Sequence, residues 1–412
     1  MMFVINDKLA LARPPEGPLA SYIVSFAEQL VSQGYGIVSL RNQVRMAAGF
    51  SKWLRQKGIE LSAVGAKHPA LYLLDRAHHR RPKLGDSAAL RHLLDFLRSK
   101  DVIAEEIRVE GSPSPAEQHV LAYVAYLQDA RALSPQTIKK YQPVVRDFLR
   151  YRFGDGEVSF ARLRAADVTR FVQQKVSRLN MRRAKILTTA LRSFLSYARY
   201  RGDISSDLTA AVPIVANWSL SSIPRAIGRD QVTSLLASID QQTAIGCRDY
   251  AMILALARLG LRASEVVSLE LDDIDWMAGE IHVLGKNGQR NDLPLPADVG
   301  KAIADYLQKW RPLNASRRVF LRDKAPIQGF EGPCGLGSVI RRSLKRAGID
   351  SPTKGTHQFR HGLASEMLRG GASLGEIGAV LGHRHPQTTA IYAKVDLNAL
   401  RTLAVPWPGE VQ

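Results

Sequence analysis

The sequence predicts a multidomain, mainly α protein in which two helical segments precede an α+β segment carrying a small β-hairpin. Three observations predict it. Breaks at Gly111-Ser-Pro-Ser-Pro115 and between Val212 and Pro224 divide the 412 residues into 1–110, 111–212 and 225–412, joined by a linker at 213–224. The first two segments repeat one order of helices. The third contains Asn287-Gly288 between alternating apolar residues, the strongest short hairpin signal.

In the first segment, Ser39 to Lys57 has helical spacing, with Val44, Phe50, Trp53 and Leu54 apolar. In the second, Ser134 to Arg152 repeats the theme with Tyr141, Val145, Phe148 and Tyr151. A short loop and a helix follow each, beginning near His68 or Ala165. Each segment ends in a longer helix, Ala88–Lys100 or Arg182–Arg201, which runs into Asp-Val-Ile103 or Gly-Asp-Ile204. This order suggests an internal duplication of a small helical domain. Few identities support it, so two unrelated bundles stay an alternative.

The third segment reads as helices at Asp230–Ile239, Arg248–Leu259, Ala263–Leu269, Asp298–Trp310, Leu336–Ala347, His357–Leu368 and Ser373–Val380. Ser373 and Glu376 have capping-box spacing, and Gly370-Gly371 ends the helix before them. The hairpin spans Glu280 to Leu295, and Arg318–Arg322 is a candidate third strand.

Composition narrows the function. Hydrophobic residues make up 45% and charged residues 23%, an ordinary globular balance. Lys and Arg number 57 against 38 Asp and Glu, a net charge of +19 that suits a polyanionic partner. Two cysteines, Cys247 and Cys334, cannot build a disulfide framework and read as buried, inert thiols in a reducing compartment. The N-terminus lacks a signal-peptide pattern. The apolar stretch Tyr250–Leu261 contains Arg258 and falls short of the ~20 residues a membrane span needs. A cytoplasmic protein, nucleoid-associated when bound to DNA, is expected.

Four places in the third segment carry chemistry. Arg262 sits where one helix ends at Leu-Gly-Leu261 and the next begins. The helix dipole disfavours a cation there, so its placement suggests a reach for an anion. Lys286 precedes the hairpin turn, a place from which a side chain can reach a ligand; taken alone, a lysine there is usually only a solubilising surface residue. His357, Arg360 and His361 share one helix face at i, i+3 and i+4. Three potential cations together suit a phosphate, which Arg grips bidentately and His meets as a donor. A zinc site at His357 and His361 is the competing reading, but Gln358 stands where a zinc-protease motif has Glu. The fourth place is Leu-Gly-His383-Arg-His-Pro-Gln-Thr-Thr-Ala-Ile-Tyr392-Ala, where Pro386 restarts a helix carrying Tyr392. A lone tyrosine there is usually a packed core residue. Asp272-Asp273-Ile-Asp275 reads as a capped turn, with a metal cluster as the alternative.

The order Arg…Lys…His-x-x-Arg…Gly-His…Tyr resembles the tyrosine recombinase (phage integrase) family, of the type carried by mobile elements. Leu-Gly-Leu-Arg262-Ala-Ser-Glu-Val, His357-Gln-Phe-Arg-His361 and the segment ending in Tyr392 match its signature blocks. The likeness is strong over 225–395 and looser over 113–205, which looks like the family's helical core-binding domain. Leu259 and Phe359 depart from common family residues at non-catalytic positions. Residues 1–110 look like an extra arm or second core-binding-like domain.

The resemblance implies helical N-terminal DNA-binding domains and an α+β tyrosine-recombinase catalytic domain. It implies cleavage and rejoining of DNA through a 3′-phosphotyrosyl bond to Tyr392, without metal, ATP or other cofactor. Arg262, Arg360 and His383 are expected on the attacked phosphate, His357 as an acid/base or phosphate ligand, and Lys286 as the acid for the leaving 5′-oxygen. Glu265 is expected to orient a cation or cap a helix, and His361 to pack beneath the active face. Thr137, Lys139, Lys140, Arg146, Arg182, Arg183 and Lys185 are expected to hold double-stranded DNA, chiefly by its phosphates. A homo-oligomer, in tetrameric form on paired sites, and sister recombinases are expected partners. The tail Val395–Ala404 reads as an amphipathic helix that docks on a neighbouring protomer. A type IB topoisomerase and a silent DNA-binding accessory protein are the competing functions.

Overall fold

The computed structural model describes residues 3–6, 9–11, 13–104, 113–154, 156–215, 223–285, 288, 290–351 and 353–395. The chain divides into two compact units, 1–107 together with 222–412, and 108–221.

The first unit opens on an antiparallel pair that was not among the expected elements, β1 (Phe3–Asn6) with β2 (Leu9–Leu11). Four helices follow: α1 (Ile23–Ser32), α2 (Ile37–Gln56), α3 (Lys67–Ala77) and α4 (Asp86–Ser99). On α2, Leu40, Val44, Ala47, Phe50 and Leu54 are buried at helical spacing. They share one core with Phe26, Leu90, Leu93 and Leu97.

The second unit has the same order: α5 (Pro115–Asp129), α6 (Pro135–Phe153), α7 (Ala165–Val176) and α8 (Met181–Tyr200). The Ser114 and Ser134 hydroxyls accept from the backbone N–H groups of Glu117 and Thr137 and so start α5 and α6. Each is followed by proline, whose missing N–H costs nothing in a first turn. Asn180 caps α8 in the same way. In both sets of four, the second helix leads into a short 3₁₀ turn, Leu61–Ala63 or Phe160–Arg162. Leu40, Ala47 and Phe50 of α2 precede Ile138, Val145 and Phe148 of α6 at one constant spacing, and all six are buried.

The remainder of the first unit comprises α9 (Arg229–Ala237), α10 (Ala244–Leu259), α11 (Ala263–Ser268), β3 (Ile274–Asp275), β4 (Glu280–Leu284), β5 (Arg290–Pro294) and α12 (Ala297–Lys309). Then come α13 (Pro333–Arg346), α14 (His357–Arg369), α15 (Leu374–Val380) and α16 (Pro386–Thr389). The central helix is α10, apolar on nearly every side: Ala251 through Leu256 are all buried. Near its start the buried Arg248 pairs with Asp249 at 2.6 Å and donates to the Leu321 carbonyl at 2.9 Å. Buried charges persist only when paired in this way.

The expected hairpin forms, with Glu280 opposite Pro294 and Leu284 opposite Arg290. The third strand is not Arg318–Arg322. It is β3, which pairs Ile274 with Ile281; Arg318 and Leu321 make only single bridges, to Glu270 and Gly329. Arg318 is held instead through its side chain, which donates to the Ser268 carbonyl. The Asp272 cluster is a capped turn: Asp273 accepts from the Glu270 N–H, Asp275 from Met277 and Ala278, and Asp272 pairs with Arg317. Cys247 is buried, but Cys334 is exposed, contrary to expectation. Among the described residues, no helix is long and apolar enough to cross a membrane.

Candidate active site

Four of the chemically singled-out residues converge on the turn between α15 and α16. Arg262 is the N-cap residue of α11. Its backbone N–H donates to Glu265 Oε2 at 2.7 Å and its Nη1 to Glu265 Oε1 at 2.6 Å. Glu265, almost fully buried, therefore both caps the helix and orients the arginine. The other end of the fork, Nη2, lies 3.5 Å from the Gly382 carbonyl.

Arg360 comes from α14 and is 5% exposed, so all its donors need partners inside the protein. It donates to the Gly260 carbonyl at 2.7 Å and to the Leu381 carbonyl. Gly260 makes this possible. It ends α10 with φ +61°, and a Cβ there would sit 2.8 Å from Leu381 and 2.9 Å from Leu363. Burial and the nearby Arg262 draw the Arg360 guanidinium down to about 10, which leaves it charged at neutral pH. Glu265 is the one carboxylate that acts on both arginines, so two cations against one acid leave a net positive site that suits an anion.

His383 follows Gly382, whose φ of +59° turns the chain. Its Nδ1 lies 2.8 Å from the Thr389 hydroxyl. Burial, together with Arg360 and Arg262, pushes its pKa down to about 4, so it is neutral at pH 7. With Nδ1 engaged by Thr389, Nε2 is the atom left to meet a ligand.

Tyr392 does not lie on the helix restarted by Pro386. That helix, α16, closes at Thr389, and Tyr392 sits in the 3₁₀ stretch Ala390–Val395. The ring is 1% exposed and packs with Ala364, Ile377 and Leu381 in a small core of its own. Burial raises its pKa above the ordinary phenol value, against the pull of Arg360. Its hydroxyl lies 3.0 Å from His361 Nδ1, and the two rings meet edge to face at 5.7 Å. The sequence reading had His361 packing beneath the active face, and its packing partner is Tyr392 itself. His361 touches the very tyrosine at issue, and burial, then His357 and Arg360, lower its pKa. His357 lies one turn away, its ring 6.3 Å from that of His361. Lys286 lies outside the described residues, as does the tail beyond Val395.

The sequence reading missed the parts played by His361, Thr389 and Gly260. His361 had a signal: it shares a helix face with His357 and follows Arg360 directly. The other two act through contacts distant in sequence.

The residues expected to face DNA behave unevenly. Lys139, Lys140, Arg182, Arg183 and Lys185 are exposed on α6 and α8. Thr137 is half-buried and its hydroxyl bonds Ser134. Arg146 is not an open cation: it forks onto Glu117 at 2.7 and 2.6 Å.

Comparison with known proteins gives the family and the fold. The model of the phage integrase family matches residues 225–398, and that of the phage integrase N-terminal SAM-like domain matches 120–202. A Sinorhizobium fredii protein designated an integrase/recombinase, y4rA, is 77% identical over 412 residues and covers 100% of both chains. The chain belongs to the phage integrase family of tyrosine recombinases. Another relative, tyrosine recombinase XerD of Listeria monocytogenes, is 30% identical over 279 residues, which is 66% of this chain and 92% of that protein. In fold, this integrase-family chain is similar to XerH recombinase bound to a palindromic difH substrate (TM-score 0.56, 19% identity, 76% of this chain and 94% of that one). It is also similar to a lambda integrase dimer bound to a core site (TM-score 0.52, 15% identity, 67% and 94%).

Proposed function

We propose that the protein is a site-specific DNA recombinase that cuts and rejoins strands through a 3′-phosphotyrosyl bond to Tyr392. The observation that carries this reading is the convergence of Arg262, Arg360 and His383 on one turn, beside a tyrosine whose hydroxyl is held by His361. The scissile phosphate gains charge on attack, and fixed cations that need not reorganise stabilise it. Arg262 and Arg360 supply those charges and His383 a hydrogen bond from Nε2. Tyr392 attacks phosphorus, the P–O bond to the 5′ side breaks, and Lys286 protonates the leaving 5′-oxygen. His357 assists on the phosphate. His361 accepts the hydrogen bond of the neutral phenol at Nδ1 and is the nearest group able to take its proton. The hydroxyl of a second strand then reverses the step, so the phosphodiester energy is kept in the enzyme–DNA bond and neither metal nor ATP takes part.

In this reading, 111–212 is the core-binding domain, with Thr137, Lys139, Lys140, Arg182, Arg183 and Lys185 on the DNA. Residues 225–412 form the catalytic domain, and a tetramer assembles on paired sites. The XerH and lambda integrase structures, both complexes with DNA, support duplex DNA as the substrate. The test is a nicked suicide duplex cut from the DNA that flanks this gene. Wild-type protein is expected to form an SDS-stable adduct, and Tyr392→Phe none, while still shifting the DNA on a native gel. An adduct that persists in Tyr392→Phe would overturn the assignment.

A further inference from the structure

We propose that Asn291 of β5 is a positioning residue of the anion site: it braces the turn at 381–383, and with it Arg262, Arg360 and His383, against the hairpin. The proposal rests on the recombinase reading above, which puts a DNA phosphate at that turn.

The strand β5 alternates. Arg290, Asp292 and Pro294 are exposed, whereas Asn291 and Leu293 are partly buried. Opposite Asn291 stands Val283, and opposite Leu293 stands Ile281, both buried. Residues paired across two strands share a face, so Asn291 occupies an inward position in an apolar row. An amide in such a row calls for a reason outside the hairpin. Among the described residues its side chain has no hydrogen-bond partner.

The turn before His383 supplies the reason. A Cβ built on Gly382 would sit 2.8 Å from Asn291 Nδ2 and 3.6 Å from its Cγ, so the glycine backbone and the amide are in close contact. The same stretch of backbone holds the arginines. Arg360 donates to the Leu381 carbonyl, and Arg262 Nη2 lies 3.5 Å from that of Gly382. A cavity of about 10 Å³, the lower limit for one water, lies where the pieces meet. Arg262, Glu265, Arg360 and Leu381 line it together with Asn291 and Leu293 of the hairpin. Of the described hairpin residues that line it, only Asn291 is polar.

The residue type fits this place. A leucine would strip water from two guanidinium groups, at a cost to both. An aspartate would add a second carboxylate to Glu265 and cancel the positive charge that suits an anion. An amide has the shape of the aspartate, fills the gap and carries no charge. Bracing matters because fixed charges stabilise a transition state only while they stay fixed.

The experiment follows single-turnover cleavage of the suicide duplex by the full chain. The scissile linkage takes three forms: the ordinary phosphodiester, a neutral methylphosphonate, and a phosphorothiolate with sulfur at the 5′-bridging position. Asn291→Ala opens the gap beside Gly382, and Asn291→Asp keeps the shape but adds charge. On the phosphodiester, Asn291→Ala is expected to slow cleavage about 10-fold and Asn291→Asp about 100-fold, as befits a displaced and a neutralised charge-stabilising group. The methylphosphonate lacks the negative charge that the cations meet. There, both deficits are expected to shrink to within about threefold of the wild type, as is that of Arg360→Ala. Sulfur leaves without a proton, so it relieves only a defect at the leaving group, where Lys286 is assigned. A wild-type rate from either variant on the phosphodiester overturns the proposal. So does a deficit of equal size on the phosphodiester and the methylphosphonate, the mark of a merely structural role. A deficit that sulfur relieves overturns it too, since Asn291 would then act with Lys286. If Asn291→Ala melts early, the isosteric Asn291→Asp decides alone. An Arg360→Ala deficit that persists on the methylphosphonate takes the arginines off the phosphate and overturns this proposal with that part of the reading. No cleavage by the wild type overturns the recombinase reading as a whole, and the proposal with it. Every other overturning result leaves that reading standing.

Discussion

A phenol with a pKa raised by burial is a poor nucleophile, and Tyr392 lies in a small apolar core. Its hydroxyl has an imidazole at 3.0 Å, an arrangement that Tyr35 shares with His92 at 3.3 Å, but only Tyr392 of the two also feels the charge of Arg360. His361→Phe keeps a ring against Tyr392 but removes the acceptor. Adduct formation on the suicide duplex is expected to slow about 100-fold, the usual worth of a positioned proton acceptor, with DNA affinity unchanged. His361→Gln, which restores an acceptor, is expected to recover part of the rate. The pH dependence has a definite sign. His361 has a lowered pKa, caused chiefly by burial, so it is a neutral acceptor at and above pH 7. Because that pKa is lowered, the proton goes on only at a pH further below the ordinary imidazole value of about 6.5, and the wild-type rate is expected to fall there. That acid limb should be missing in His361→Phe. A residue that merely packs would lower the melting temperature and leave the limb in place.

The elements that present these groups were largely legible. Capping serines, Pro135 and the Asn287-Gly288 turn fix helix and hairpin positions to within a few residues, because each signal acts on its own neighbours. The order Arg262, His357, Arg360, His383, Tyr392 likewise located the site. The contacts that tune it were not legible. Whether Arg318 extends a sheet, or Tyr392 sits on α or 3₁₀ helix, is settled by partners far along the chain. Gly260 illustrates the difference. Its left-handed conformation is the helix ending that Leu-Gly-Leu suggests, but its tight fit against Leu363 and Leu381 is a tertiary fact. Gly260→Ala is expected to cost about 1–3 kcal/mol from the positive φ, and more from the two leucines. Because the Gly260 carbonyl holds Arg360, adduct formation should drop further than the loss of folded protein explains. Circular dichroism melts beside single-turnover cleavage would separate the two. An unchanged rate per folded molecule would mean that Arg360 does not depend on this anchor.

For the whole molecule, the repeated four-helix order was visible as a pattern but thin in identities. A core asks for apolar residues of suitable size at the right spacing, so two sets with one helix order hold Phe50 and Phe148 at matching buried positions with few identities between them. The second set has a complete interior of its own: Tyr123, Val145, Phe148, Phe171, Leu191 and Phe194 all belong to one cluster. The catalytic helices assemble around α10 in a different cluster. Separate cores of this size predict separate unfolding. Residues 113–215 expressed alone are expected to melt in one cooperative transition, since about 100 residues suffice for an independent core. Phe148→Ala empties a fully buried site and should cost about 3–5 kcal/mol. In the fragment that is enough to lower the melt steeply. In the full chain, calorimetry should show one transition moving down while the one belonging to the α10 core stays where it was. If every transition shifts together, the two units fold as one, and the helices around α10 draw their stability from α5 to α8.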